Sequence, residues 1–341
     1  MQLSLPLDLE QREEAETIFE RIKGCKSLPI LSPLASKILK LCQEEETPAS
    51  TLADLISQDP GLATQILFMA NSSYYGGAGH KVTSILKSVT LLGFPTIANL
   101  ALSFCFYRLI KDIRDTSHSA IDHVQFWRRS IFASTASRAI GKHFNYPDTE
   151  LLFLAALLQD IGMLVLNEVA ADELKTFQGE LIYDHADLYR LELEHLGVDH
   201  AQVGAWLVQV WQLPEEFQVA ILYSHTPELF ETPLDFQPLV DVVSLSGVIA
   251  DIWMTPHTET AIAIAQEKSQ GRLTIQPEDW VPILDHMMTD IPQIASFFHT
   301  RLGSFEEITH VHRLALKHLA PSSQPEKTSS GRAGTTQGEN S

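Results

Sequence analysis

One polar pair in the sequence, Gln159-Asp160, has the residue types and the position to do chemistry. It ends an almost unbroken apolar run from Leu151 to Leu158 and precedes Ile161-Gly162. An apolar run of this kind indicates a buried helix, so the Asp160 carboxylate is expected to be buried as well. Because an unpaired buried carboxylate costs a great deal of free energy, Asp160 must have a partner. The nature of that partner decides what this part of the chain can do.

Two histidines are further candidates for chemistry. His200 follows Asp199 at a predicted helix start, and it is interpreted as a capping or partly buried histidine, with a ligand role as the alternative. His225 precedes Thr226-Pro227 at a predicted helix end, where an imidazolium suits the helix dipole, so a structural role is favoured over ligation. His195 and His200 are five residues apart, a spacing that places them on different faces of a helix and does not make a metal pair.

Other patterns for catalysis or cofactor binding are absent from the sequence. It contains no GxSxG elbow, no Walker loop and no dinucleotide glycine fingerprint, so no cofactor is expected. The three cysteines, Cys25, Cys42 and Cys105, are far apart and form no CxxC pair. They indicate reduced thiols in a cytoplasmic protein.

Composition excludes several classes of protein. With 24 basic and 43 acidic residues the formal net charge is −19, and such a surface repels nucleic-acid backbones and anionic lipid. The N-terminus lacks the basic segment and apolar run of a secretory signal. No stretch of about 18 apolar residues was recognised, so no membrane span is expected.

The elements that must position these residues are predicted to be helices throughout. Proline follows a capping residue at Ser32-Pro33 and Asp59-Pro60, and Pro147-Asp148 precedes the apolar run. Asp199 with Gln202 three residues later forms a variant of the capping box. No series of alternating strands and no internal repeat occurs. From Ala320 onward the chain has no aromatic or large aliphatic side chain, which predicts a disordered tail.

A series of landmarks follows in order along the chain: Leu28-Pro29-Ile30-Leu31, Ile56-Ser57-Gln58-Asp59-Pro60-Gly61-Leu62, Ala70-Asn71-Ser72-Ser73-Tyr74-Tyr75-Gly76, Leu91-Leu92-Gly93, Phe126-Trp127, Gln159-Asp160-Ile161-Gly162, Asp199-His200-Ala201-Gln202-Val203-Gly204-Ala205-Trp206-Leu207 and Trp211-Gln212-Leu213-Pro214. The series resembles the HDOD family, the HD-related output domain of bacterial signalling proteins.

The resemblance implies an all-α fold of two helical lobes, the second similar to the HD phosphohydrolase bundle. The chain then divides into an N-terminal segment (1–19), a first lobe (20–115), an HD-like lobe with C-terminal helices (116–318) and the disordered tail (319–341). The Asn71-Ser72 segment would end a helix of the first lobe by bonding to nearby backbone groups, with Tyr74 and Tyr75 packed beneath.

HD phosphohydrolases hold their metal with a histidine, a His-Asp pair and a distant aspartate. Carried over to this sequence, the first histidine falls at Arg129 and the second at Gln159, while Asp160 matches. The distant aspartate aligns with Gly247, and Asp251 lies one turn onward. Because a guanidinium stays protonated in proteins, Arg129 cannot ligate a metal. The resemblance therefore implies no metal site and no catalytic residues.

A different arrangement is predicted for these positions. Arg129 pairs with Asp160 and replaces a metal ion by a guanidinium at the same carboxylate, and Gln159 completes the hydrogen bonds. His200 is placed in the same pocket. Arg129, Gln159, Asp160 and His200 are thus the candidate ligand-binding residues.

The resemblance and the lost ligands indicate a non-catalytic signal-transduction module. It would act through contact with an unidentified signalling partner or through a ligand-dependent conformational change. A nucleotide-binding receptor that uses Arg129 for a phosphate is the alternative. A residual metal-dependent phosphohydrolase is a third hypothesis.

Overall fold

The computed structural model describes residues 9–44, 46–75, 81–111, 119–178, 185–231 and 234–321, and within these ranges the chain is helical and contains no strand. The helices are α1 (Leu9–Gly24), α2 (Pro33–Cys42), α3 (Ala49–Ser57), α4 (Pro60–Ala70), α5 (Ile85–Leu92), α6 (Phe94–Lys111), α7 (His123–His143), α8 (Thr149–Leu158), α9 (Ile161–Val169), α10 (Ala171–Gln178), α11 (His185–Leu196), α12 (His200–Val210), α13 (Glu215–Leu222), α14 (Gln237–Asp251), α15 (Thr258–Lys268), α16 (Pro277–Phe297) and α17 (Phe305–Leu319). The all-α fold predicted from sequence is confirmed.

The predicted helix starts are confirmed. Each is formed by hydrogen bonds between residues that are close in sequence. The side chains of Ser32, Asp59 and Asp148 accept hydrogen bonds from the first-turn amides of α2, α4 and α8. Asp199 and Gln202 form the reciprocal capping box at the start of α12. At the end of α5, Gly93 has a φ of 90°, a conformation that glycine adopts without steric cost.

Asn71 ends α4 as the sequence predicts. Its amide nitrogen donates to the carbonyl oxygens of Leu67 and Val82 (2.7 and 2.8 Å), and its amide oxygen accepts from the Val82 backbone nitrogen (2.8 Å). The side chain therefore both closes the helix and pairs with an extended segment that follows it. This supports a structural role for the Asn71-Ser72 segment.

The helices form two packed groups. In the first, α2 to α6 contact one another, and α6 also packs on α8 of the second group. In the second, α7 is the central helix and contacts α8, α14 and α16, while α9 packs on α12 and α12 on α13. Helix α14 thus belongs to the second group, and α16 connects the groups because it also contacts α4. Helix α1 packs on α9 and α11.

Parts of the domain division stay predictions. The tail predicted for 319–341 lies outside the described residues from 322 onward, and so do residues 112–118, which contain the predicted lobe boundary between 115 and 116. The last helix of the described residues, α17, ends at Leu319.

One apolar stretch, Thr149–Val169, is longer than the limit of about 18 residues that the sequence was expected not to reach. Residues Thr149–Val169 have a mean hydropathy of 1.8 over a length sufficient to cross a membrane. However, 83% of this window is buried inside the fold, and the stretch is two helices, α8 and α9, separated at Gln159-Asp160. It is the core of the second group of helices.

Glycines bring α9 and α12 into backbone contact. A Cβ atom added to Gly162 would lie 1.9 Å from the carbonyl oxygen of His200 and 2.5 Å from the amide nitrogen of Gly204. Only a glycine fits at such a separation, since real Cβ contacts are never this short. The close approach places the loop that carries Asp160 beside the first turn of α12, where His200 lies.

Candidate functional site

The centre of the candidate site is a buried ion-pair network around Arg129. The Arg129 Nη1 atom donates to Asp160 Oδ2, and Nε donates to Asp251 Oδ1 at 2.8 Å. Nη2 donates to the Gly247 carbonyl oxygen at 3.3 Å. Arg129 projects from the second turn of α7, Asp160 precedes α9, and Asp251 ends α14. The predicted ion pair of Arg129 with Asp160 is confirmed, and Asp251, rather than a residue at Gly247, supplies the second carboxylate.

The prediction that Gln159 completes these hydrogen bonds is wrong. Gln159 is only 1% exposed, yet neither its amide oxygen nor its amide nitrogen has a hydrogen-bond partner among the described residues. A Cβ at Gly247 would lie 2.9 Å from Gln159 Oε1 and 3.1 Å from Arg129 Nη2. Because residue 247 is a glycine, the Gln159 amide and the Arg129 guanidinium have space to lie side by side. The guanidinium donates its hydrogen bonds to the carboxylates and not to the Gln159 amide.

Charge pairing determines the ionisation of both partners. Burial alone would raise the pKa of Asp160, but the Arg129 guanidinium and His185 outweigh it and hold this pKa well below its ordinary value. Burial acts to lower the pKa of Arg129, and the carboxylates of Asp160 and Asp251 raise it further than burial lowers it. Both groups are thus charged near neutral pH, in a place from which water is excluded.

The second oxygen of Asp160 faces a group of histidines. Asp160 Oδ1 lies 3.4 Å from His185 Nε2 and 3.7 Å from His200 Nε2. The His200 Nε2 atom lies 2.7 Å from His225 Nε2. One ligand atom each from Asp160, His185, His200 and His225 lies within 4.8 Å of all the others. We refer to these four residues as the histidine cluster.

His200 is oriented by a buried carboxylate. Glu192 Oε2 lies 2.5 Å from His200 Nδ1 and accepts the His200 backbone N–H at 2.8 Å. Both side chains are fully buried. Burial alone would lower the pKa of His200, but Glu192 reverses this and the pKa lies above its ordinary value. Because Nδ1 is engaged by Glu192, Nε2 is the atom that His200 presents to the cluster.

The pKa values of the other two imidazoles, His185 and His225, are lowered. Burial lowers the pKa of His225 well below its ordinary value, and the charges of His200 and His185 act in the same direction. Burial and Arg129 lower the pKa of His185, against the opposing effect of Asp160. These two side chains are therefore neutral near pH 7 and carry a lone pair that can accept a proton or bind a metal ion.

Sequence reasoning placed His200 in the pocket but missed three of its neighbours. His185 and Glu192 were not considered, and His225 was interpreted as structural. His185 and Glu192 are seven residues apart, two turns of one helix, so they share a face of α11. That spacing was the only local signal for them. His195, on another face of α11, is exposed.

A second concave feature lies between the two groups of helices. It has a volume of about 790 Å³ and is lined by the segment that precedes α2, by α2 itself and by the end of α12. Its lining includes Lys26 and Lys40 and contains no acidic residue. Ile30 and Val210 are 76% and 55% exposed at its surface. We call this feature the interlobe groove.

The identity of the fold follows from comparison with known proteins. The family model of the HDOD domain matches residues 28–227. The chain belongs to the HDOD family. The matched range contains the Arg129–Asp160 pair, the histidine cluster and the interlobe groove except for Cys25 and Lys26, while Asp251 lies beyond it.

Relatives of this HDOD protein share its fold at low sequence identity. An uncharacterized protein of Treponema pallidum (strain Nichols) is 25% identical over 248 residues, which cover 72% of this chain and 46% of that protein, so this chain spans less than half of that relative's length. The crystal structure of an HDOD domain protein of unknown function from Geobacter sulfurreducens has a TM-score of 0.60 at 19% identity and covers 90% of this chain and 98% of its own.

Two further solved structures carry provisional functional descriptions. A protein of Marinobacter aquaeolei VT8, described provisionally as a signal transduction protein, has a TM-score of 0.59 at 22% identity and covers 88% of this chain and 68% of its own. A protein of Shewanella amazonensis SB2B, described provisionally as a metal-dependent phosphohydrolase, has a TM-score of 0.59 at 17% identity and covers 84% of this chain and 99% of its own. At these identities the comparisons show the shared fold.

Proposed function

We propose that this HDOD protein is a cytoplasmic bacterial signal-transduction module that acts through contact with a protein partner and does not hydrolyse phosphate esters as HD enzymes do. The proposal rests on one observation above all. The two carboxylates that the HD arrangement would give to a metal, Asp160 and Asp251, are both bound to the guanidinium of Arg129. Family membership and the three free cysteines are consistent with it.

The guanidinium blocks HD chemistry for an electrostatic reason. A metal ion bound between Asp160 and Asp251 would lie at the place that Arg129 occupies. At a separation of about 4 Å and an effective dielectric constant near 20, two unit charges repel by about 4 kcal/mol, and a dication doubles this. Arg129 is only 7% exposed, and a metal ion could take its place only if both buried ion pairs were broken.

The same geometry is unfavourable for a nucleotide receptor that uses Arg129. All of the donor groups that the guanidinium directs into the site are engaged by Asp160, Asp251 and the Gly247 carbonyl. A phosphate would have to displace a carboxylate from a buried pair. It would also enter a site in which acidic groups outnumber the guanidinium, which repels anions. A protein partner at the surface encounters neither obstacle.

The interlobe groove is the surface that best fits such a partner. The lining of the groove is mainly apolar but includes two lysines, Lys26 and Lys40, although the formal net charge of the chain is −19. Neither lysine forms an ion pair with a described residue. The occupant that complements it is a segment of a partner protein with apolar side chains and acidic flanks. Trp211 Nε1 donates to the Pro29 carbonyl across the groove floor at 3.0 Å. A segment bound there would contact both groups of helices.

The absence of HD catalysis is tested by hydrolysis. Purified protein is assayed with bis(p-nitrophenyl) phosphate and with cyclic dinucleotides, in the presence of Mn²⁺, Fe²⁺ or Zn²⁺. We expect no turnover above that of an Asp160→Asn variant. Turnover that the wild type shows and this variant lacks would establish a hydrolase and refute the proposal.

Partner contact is tested by site-specific crosslinking in the native cell. A photoreactive amino acid replaces Ile30 in the groove or, as a control, Phe305, which is 74% exposed outside it. We expect one protein to crosslink from the groove position alone and to be lost when Lys26 and Lys40 are both changed to Glu. Crosslinks that occur equally from both positions, or that survive the charge reversal, would contradict the groove as the contact surface.

A further inference from the structure

We infer that Asp160, His185, His200 and His225 form a binding site for a single divalent transition-metal ion. This site differs from the one excluded by Arg129, because it uses the opposite oxygen of Asp160 and the imidazoles of His185, His200 and His225 in place of the side chains at positions 129 and 159. It does not depend on the proposed signalling role, since a bound ion can serve structure or sensing without hydrolysis.

Two separations from Asp160 Oδ1 lie near those of a four-coordinate ion, and the four ligand atoms lie within 4.8 Å of one another, so the side chains must close around the ion. Zinc binds histidine nitrogen and carboxylate oxygen at about 2.0–2.2 Å, so two ligands of a tetrahedral site lie about 3.3–3.6 Å apart. Asp160 Oδ1 is 3.4 Å from His185 Nε2 and 3.7 Å from His200 Nε2. His200 Nε2 and His225 Nε2, at 2.7 Å, must separate by less than 1 Å to admit the ion. This change requires a movement of the His225 ring, which is partly buried and stacks on Tyr189.

The surroundings of the cluster orient the ligands. Glu192 binds His200 Nδ1 at 2.5 Å and leaves Nε2 for the ion, which is the carboxylate–histidine–metal arrangement found around bound metals. Arg129 holds Asp160 by Oδ2 and leaves Oδ1 facing the histidines. Oδ1 is buried and has no hydrogen-bond partner among the described residues. A buried carboxylate oxygen without a partner is costly, and a bound cation satisfies it.

The charges around the cluster favour binding of a cation. The carboxylates of Asp160, Asp251, Glu192 and Asp199 lie around it, and they outnumber the Arg129 guanidinium that repels a dication. A second ion would have to lie on the Asp251 side of Asp160, which the guanidinium occupies.

The donor set selects the kind of ion. Three imidazoles with one carboxylate suit Zn²⁺, Fe²⁺, Co²⁺ and Ni²⁺, whereas Mg²⁺ and Ca²⁺ require mainly oxygen ligands. Zn²⁺ is therefore the probe for affinity. Co²⁺ is the probe for geometry, because its visible absorption differs between tetrahedral and octahedral coordination.

The experiment uses the full chain after removal of metal with a chelator. Calorimetric titration with Zn²⁺ is expected to give one ion per chain, and Co²⁺ is expected to give the strong visible bands of a tetrahedral site. His185→Ala and His225→Ala should each weaken binding by about 100-fold or more, and Glu192→Gln by about 10–100-fold. His195→Ala, an exposed histidine on the same helix as His185, should leave affinity unchanged.

The outcomes separate clearly. No binding by folded wild-type protein, two bound ions per chain, or binding that survives both His185→Ala and His225→Ala would overturn the inference. Circular dichroism of each metal-free variant shows whether it folds, and if one histidine variant does not, Glu192→Gln and the other histidine variant still decide the question. Metal binding without hydrolysis supports both proposals, whereas metal-dependent hydrolysis would support this site and refute the proposed function.

Discussion

Removal of the Arg129 side-chain charge should destabilise the protein far more than removal of a surface arginine. In Arg129→Met the hydrocarbon volume is largely kept, but Asp160 and Asp251 lose their cation. Their side chains are 2% and 18% exposed. Breaking a buried ion pair by deleting one partner costs about 3–5 kcal/mol, because the remaining charge is left buried. We expect a loss in this range, since Asp160 is enclosed and Asp251 is partly reached by water.

The matched control is Arg108→Met. Arg108 forms one ion pair with Asp59 at 2.6 Å, and the two side chains are 53% and 25% exposed. Exposed pairs contribute about 0–1 kcal/mol, because water and salt screen them. The free energies of unfolding are compared by urea denaturation of metal-free protein at neutral pH, with tryptophan fluorescence and circular dichroism as two probes whose coincidence tests two-state behaviour.

A double variant tests whether the cost arises from Asp160. Asp160→Asn removes the charge that Arg129→Met leaves unpaired, so Arg129→Met/Asp160→Asn should recover about 1–3 kcal/mol relative to the sum of the single variants. Equal losses for Arg129→Met and Arg108→Met would show that the buried network contributes no more than a surface pair, and the electrostatic argument for the site would then be wrong.

Three further predictions concern stability, each measured by urea unfolding. Gly162→Ala should cost about 3 kcal/mol or more, because its Cβ would meet backbone atoms of α12, whereas Gly24→Ala, with no atom within 4 Å, should be nearly neutral. Burial raises the pKa of Asp199 from 3.8 to about 6, so the folded chain retains a proton that the unfolded chain has released; the stability of the wild type relative to Asp199→Asn, which still caps α12, should therefore fall by about 3 kcal/mol as pH rises through this window. Asn71→Ala should cost about 1–3 kcal/mol, since it leaves the backbone groups of Val82 without their partner. A neutral Gly162→Ala, a wild type with the same pH dependence as Asp199→Asn, or an unaffected Asn71→Ala would each contradict the corresponding contact.

The sequence was informative wherever the relevant contact is local. The caps at Ser32, Asp59 and Asp199 join residues within three positions of each other, so their spacing could be recognised directly. The need for a partner beside Asp160 also followed from sequence, because burial of the preceding apolar run implies burial of the carboxylate. The resemblance to the HDOD family then pointed to Arg129 as that partner.

Contacts between distant helices were harder to predict. Glu192 and His200 lie on different helices, and their contact depends on the angle between α11 and α12. The prediction for Gln159 was wrong because the space left by Gly247, on α14, lets Arg129 reach two carboxylates and a carbonyl without the amide. Gly247 matters here because it has no side chain, and a single sequence does not indicate which glycines have this role.

The sequence by itself determined the helical class, the starts of α2, α4, α8 and α12, and the need of a buried Asp160 for a partner. These follow from periodicity, from hydrogen bonds within a few residues and from the cost of burying an unpaired carboxylate. Only the tertiary structure decided that the two oxygens of Asp160 face different groups, a guanidinium on one side and three imidazoles on the other. That division arises from the backbone contact between α9 and α12 at Gly162, which no local pattern specifies.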